Sequence, residues 1–182
     1  MRWFALISLI LAGAFAGCQK DTPPAAPPTT ASANSPGRPA GPSDPTNAQP
    51  KLKTIRLWLG TAEVQAELAL SFDQVRTGLM YRTNMAEDAG MLFVFARPQQ
   101  ASFYMRHTLI PLSVAYINAD GDIVEINDMK PLDETPIVAA SDDVQYALEM
   151  NKGWFERHKI SSGTLVRTEF GSLAETFFSR RQ

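Results

Sequence analysis

The chain has 182 residues, 45% of them hydrophobic, with 17 Lys and Arg against 19 Asp and Glu for a net charge of −2. That balance argues against a nucleic-acid binder or a polybasic membrane-surface protein, and a single cysteine excludes an intramolecular disulfide. The length suits one globular domain once the N-terminal segments are set aside.

The first segment runs from a basic start at Arg2 through apolar Trp3 to Leu11 and a small-residue stretch to Cys18. This order reads as a secretory signal peptide over residues 1–17, because its apolar run falls short of the roughly 20 residues that span a bilayer. Ala16-Gly17-Cys18 resembles the end of a lipobox, with Phe15 where Leu is usual. Cys18 is therefore the expected lipidation site, the alternative being an ordinary secretory peptide followed by a stray thiol. Buried acyl chains, at about 0.8 kcal/mol per CH₂, would hold such a protein to a membrane through its N-terminus alone. Gln19 stands where inner-membrane retention typically uses Asp. The expected location is thus the cell envelope, as a periplasm-facing lipoprotein of the outer membrane. Nine prolines fall between Lys20 and Pro50, with almost no large apolar side chain. Residues 18–50 accordingly read as a lipidated, disordered, partly polyproline-II tether, and residues 51–182 as the globular domain. The domain carries 14 basic against 17 acidic residues.

Within the domain, Ile55, Leu57 and Leu59 alternate with polar neighbours over 54–59, and 64–70 is a second extended segment; both read as half-buried strands. Ser71-Phe72-Asp73-Gln74 carries a capping box and starts a helix that Gly78, or the polar stretch after Arg82, should end. Gly90-Met91-Leu92-Phe93-Val94-Phe95 is a short apolar run ending at Arg97-Pro98, which suits a central strand. A strand is expected over 102–107. Residues 113–118 and 123–127 flank Asp120-Gly121 and predict a hairpin with a primed turn. Strands over 145–150 and 164–168, a short helix around 154–158, and a frayed amphipathic helix over 173–181 complete an α+β class. The predicted architecture is one compact, mostly antiparallel, barrel-like sheet with one or two short helices.

The ordered strings Arg76-x-Gly78-Leu79-Met80-x-Arg82, Gly90 to Phe95, Phe103-Tyr104-Met105-Arg106-His107-Thr108-x-Ile110-Pro111-Leu112, Gly121 to Val124 and Tyr146-Ala147-Leu148-Glu149-Met150 resemble the DUF192 (UPF0127) family. The resemblance covers about Val64 to Val166. It implies a compact β-rich α+β domain, often exported, without an established activity. The family commonly has Trp-Met-Lys-Asn-Thr where this chain has Tyr104-Met105-Arg106-His107-Thr108, and Leu-Asp where it has Leu112-Ser113.

Candidate ligand-binding residues are Arg76, Arg82, Tyr104, Arg106, His107, Thr108 and Glu149. Arginine presents a planar fork that matches carboxylate and phosphate, so convergence of the three would make an anion site. Equally, they pair with Glu87, Asp88 or Glu149, or bond carbonyls at the helix end. Glu149 lies among apolar neighbours, where an unpaired carboxylate is costly, and an arginine is its expected partner. His107 is the one ring of these motifs that titrates near neutrality; a hydrogen-bonding role is favoured over acid–base catalysis. His158, in a charged helix, reads as exposed. Six methionines of the domain suit core filling better than Cu(I) ligation, no residue cluster has zinc spacing, and no cofactor is expected. Three readings follow: a lipid-anchored binding or accessory module with an Arg-lined cleft for a polar or anionic ligand, an envelope hydrolase using His107 and Glu149, or a purely structural envelope domain.

Overall fold

Strand β1 (Thr54–Leu59) turns directly into β2 (Ala62–Ala69), and the two pair antiparallel with Leu57 opposite Val64. The computed structural model describes residues 44–179; the expected signal peptide, Cys18, the expected tether up to residue 43 and the end of the last predicted helix lie outside them. Ser71 then caps α1 (Phe72–Thr77): its hydroxyl accepts the Gln74 N–H while the Gln74 side chain accepts from Ser71 N–H. Gly78 ends the helix at φ 47°, a conformation for which glycine has no steric penalty.

The helix is the crossover that lets β3 (Ala89–Gln99) lie parallel to β2, the one parallel pairing in the sheet. Arg97-Pro98 bends this strand without ending it. Regular pairing with β8 stops at Val94 and resumes at Gln99, so the proline, which has no N–H to donate, sits in the irregular stretch. β4 is shorter than expected, Ser102–Phe103, because the chain turns at Arg106-His107 rather than continuing extended; it pairs with β7 (Ile137–Val138) as a separate two-stranded ribbon.

β5 (Leu112–Asn118) and β6 (Ile123–Met129) form the expected hairpin. Its turn is not of the primed kind, since Gly121 has positive φ (95°) but Asp120 does not. Gly121 N–H bonds Asn118 O and Asn118 N–H bonds Asp122 O, the pattern of a turn closed by a glycine bulge. β8 (Val144–Asn151) enters between β3 and β5, followed by α2 (Trp154–Arg157), β9 (Val166–Thr168), β10 (Gly171–Ser172) and α3 (Leu173–Phe178). His158, just past α2, is exposed at its edge but stacks on Trp154 at 4.1 Å.

The eight-stranded sheet runs β10-β9-β1-β2-β3-β8-β5-β6. It curls strongly enough that Gly121 O accepts Val166 N–H and Thr164 O accepts Ile123 N–H, drawing its two ends together at one corner without closing a barrel. The architecture is therefore α+β, one β-rich domain with a mostly antiparallel, barrel-like sheet and three short helices. Among the described residues no helix is long and apolar enough to cross a membrane.

Both faces of the central strands are buried. Leu57, Leu92, Leu148, Ile117 and Trp154 belong to the core on one face, and Met91, Phe93, Val114, Tyr116 and Ala147 to that on the other. That is why β3 reads as a continuous apolar run. Gly90 is required at its start, because a Cβ there would lie 2.5 Å from Met150 Sδ and 2.6 Å from Glu149 O.

Residues 44–52 are held against the domain. Gln49 Nε2 donates to Gly78 O and joins the Gly78 N–H on Gln74 O; Tyr81 Oη donates to Pro45 O; and Leu52 N–H donates to Glu67 Oε2 at 2.7 Å. The last part of the expected tether, 44–50, is thus docked.

Candidate functional site

Two loops build the site. Past Gly78 the chain makes a turn that leaves Tyr81 at φ 61°, and past β4 a second turn leaves His107 at φ 54°. Tyr81 N–H donates to His107 O at 2.8 Å, and the two rings stack at 4.9 Å. A further turn braces them: Met105 N–H bonds Asp133 O, and Leu132 N–H bonds Thr108 O. Left-handed backbone at a non-glycine residue costs on the order of 1–3 kcal/mol and persists only where surrounding contacts enforce it. Histidine and asparagine are both over-represented in that conformation. The exchange of the usual Asn for His107 therefore preserves a backbone requirement.

Between α1 with its following loop, β3 and the β4 segment lies a cleft of about 270 Å³. Val75, Leu79, Met80, Phe93, Phe95 and Phe103 supply apolar walls; Thr77, Gln99, Gln100 and Ser102 add polar groups. Glu149 lines it as well. The alternation of β8 explains how: Tyr146, Leu148 and Met150 face the first core, so Ala147 and Glu149 face the second. In the sheet register Glu149 sits opposite Met91 on β3 and Val114 on β5, with Glu67 beyond Met91 on β2.

The Glu149 residue is 5% exposed, and among the described residues its carboxyl makes no hydrogen bond and no ion pair. Burial pushes its pKa up to about 8, with no neighbouring cation or donor to bring it down. The carboxyl is therefore mostly protonated at neutral pH. Tyr116, next to it, donates instead to Ile137 O.

Four of the seven residues expected at a site converge on this cleft: Arg76, Tyr104, Thr108 and Glu149. Arg76 pairs with Asp73 at 3.6 Å and lies over the Phe72 ring, placing its charge toward the mouth. The other three do not line the cleft. Arg82 forms a 3.0 Å pair with Glu67 and lines a neighbouring cavity of about 200 Å³, which shares Leu79 with the first. Arg106 pairs with Asp44 at 2.8 Å and Glu134 at 3.4 Å. His107 is taken up by Tyr81, and no hydrogen bond joins it to Glu149. The arginine partner expected for Glu149 is thus absent among the described residues: Arg82 and Arg106 are committed to other carboxylates, and Arg76 exerts no resolved pull on it.

Sequence reasoning missed Thr77, Phe95, Gln99, Gln100 and Ser102. Thr77 and Phe95 stand inside the motif strings and Gln99, Gln100 and Ser102 between two of them, where Arg97-Pro98 reads as the end of a strand that continues to Gln99. Ser113, the other departure from the family pattern, has a structural role: its hydroxyl donates to Asp128 Oδ1 at 2.6 Å and accepts Gly153 N–H at 2.9 Å, tying β5 to β6 and to the start of α2. No group of His, Cys, Asp and Glu among the described residues is arranged to hold a metal ion.

Fold and cleft define a class, a small α+β sheet domain with a ligand-sized recess ending in a buried acid. The chain belongs to the DUF192 family, described as an uncharacterized ACR, whose model matches residues 56–168. Two solved structures share the fold at 33% identity. One is a protein of unknown function from Novosphingobium aromaticivorans (TM-score 0.61; 64% of this chain and 86% of that one covered). The other, from Sinorhizobium meliloti, is described as a candidate transcription regulator (TM-score 0.63; 66% and 97% covered). No curated protein matches.

Proposed function

We propose that the domain is a binding or accessory module of the cell envelope, carried by the lipid on Cys18 at the end of a Pro-rich tether, and that it takes a small ligand in the Arg76–Glu149 cleft. One observation carries this reading: a carboxyl with no partner among the described residues is buried at a recess large enough for a small molecule. A carboxyl held by no protein group among the described residues and reached only through the cleft is left to water or to a ligand, whereas an arrangement that needs only stability would fill or pair it. The ligand's apolar body would lie against Phe93, Phe95 and Phe103, and a polar or anionic group at the mouth would meet Arg76.

Thermal-shift screening of the wild type beside Arg76→Ala and Arg106→Ala tests this. Ligands of the cleft should lose their shift in Arg76→Ala and keep it in Arg106→Ala, because Arg106 faces Asp44 and Glu134. Equal responses in all three proteins would refute the reading. The anchor is tested separately, by mass spectrometry of the mature N-terminus: an unmodified Cys18 or cleavage elsewhere would refute it.

A further inference from the structure

Two ionisable side chains, Arg76 and Glu149, line the cleft, with unequal standing. Arg76, at the mouth, is engaged by Asp73 and Phe72. Glu149, more deeply buried, is met by no cation, no backbone N–H and no side-chain donor among the described residues. Beside it in the sheet are Met91 and Val114, with Tyr116 on β5 and Glu125 beyond, and Tyr104 and Thr108 of the second loop line the same cleft; the cations of this region are spoken for, Arg82 by Glu67 across Met91 at 3.0 Å and Arg76 by Asp73. Aromatic residues, Phe93, Phe95, Phe103 and Tyr104, line the same recess.

A carboxyl that shares a recess with four aromatic side chains offers most to a cation. The ammonium–carboxylate contact is charge-assisted, and ring faces attract positive charge where they repel anions. An anion pushed to Glu149 would instead meet a carboxyl that must stay protonated. We propose that the ligand directs a protonated amine at Glu149, so that the cleft selects small amines with an aromatic or branched apolar body, including zwitterions whose anionic end reaches Arg76. This rests on the cleft being the binding site. On binding, the Glu149 O–H proton passes to solvent and the carboxylate pairs with the R–NH₃⁺ group, which keeps its own protons. Because that acid is largely protonated in the free protein at neutral pH, amine binding releases about one proton and strengthens about tenfold per pH unit up to the Glu149 midpoint near 8.

The test is calorimetric titration of the full chain with phenethylamine and with phenylacetate, two molecules of similar size and opposite charge, in buffers of different ionisation heat. Phenethylamine should bind with release of close to one proton and phenylacetate should bind at least tenfold more weakly. Glu149→Gln, which keeps the shape of the protonated acid, should weaken phenethylamine at least tenfold. Tighter phenylacetate binding, amine binding indifferent to Glu149→Gln, or no proton release overturns the inference. Phenylacetate binding that Arg76→Ala abolishes would overturn it while leaving the cleft as the binding site. If neither probe binds, the inference falls, and the Arg76-dependent thermal shifts decide the broader reading independently.

Discussion

Glu149→Gln should make the protein more stable at neutral and alkaline pH. The folded-state pKa is raised by burial from the ordinary 4.5 to about 8. Below 4.5 the acid is protonated in both folded and unfolded chains and imposes no pH-dependent cost. As pH rises from there, the unfolded chain releases the proton while the folded one retains it, so stability falls until the folded group also ionises near 8. The loss is about 1.4 kcal/mol per pH unit, or on the order of 4 kcal/mol by mildly alkaline pH, an upper bound because water reaching the cleft shields the carboxyl. Glutamine cannot ionise, so the variant should match the wild type near pH 4.5 and gain on it steadily as pH rises. Urea denaturation of both proteins across that range measures the difference between the two profiles. Parallel profiles would show that Glu149 ionises normally in the folded protein, and the account of an unpartnered buried acid would fail.

Four further outcomes follow from the geometry. Gly90→Ala places a methyl group against Met150 Sδ and the Glu149 carbonyl, with backbone on one side unable to yield, and should cost about 3 kcal/mol in a denaturation curve. Glu67→Gln removes the carboxylate that holds Arg82 and the Leu52 N–H; with both side chains largely buried, a loss of about 2–3 kcal/mol is expected by the same measurement. His107→Asn should change stability by less than about 1 kcal/mol, since asparagine also accepts the left-handed backbone, whereas His107→Val should cost about 2 kcal/mol or more. Gln49→Ala removes the side-chain donor to Gly78 O and the second donor to Gln74 O, and should raise the rate of proteolytic cleavage between residues 44 and 52, with a stability loss of about 1 kcal/mol.

What local chemistry decides is legible in the sequence by itself. The capping box at Ser71, the hairpin strands over 113–118 and 123–127 and the apolar strand at Gly90–Phe95 depend on residue type and spacing over a few positions, and each forms where its residues stand, whereas the helix end, open between Gly78 and the stretch after Arg82, falls at Gly78. The family strings likewise mark the two loops that meet at Tyr81 and His107. Tertiary structure alone decided which charges share a space. Arg76, Arg82 and Arg106 look equivalent in sequence, yet the crossover of α1 and the parallel β2–β3 pairing send the first to the cleft and the second to Glu67, while the turn at His107 aims the third at Asp44 and Glu134. Glu149 was recognisable as a carboxyl on a buried strand. Its lack of a partner was not, because whether a buried charge is answered depends on every chain segment that packs over it, and those come from residues 75 to 80, 93 to 104 and 116, far from it in sequence.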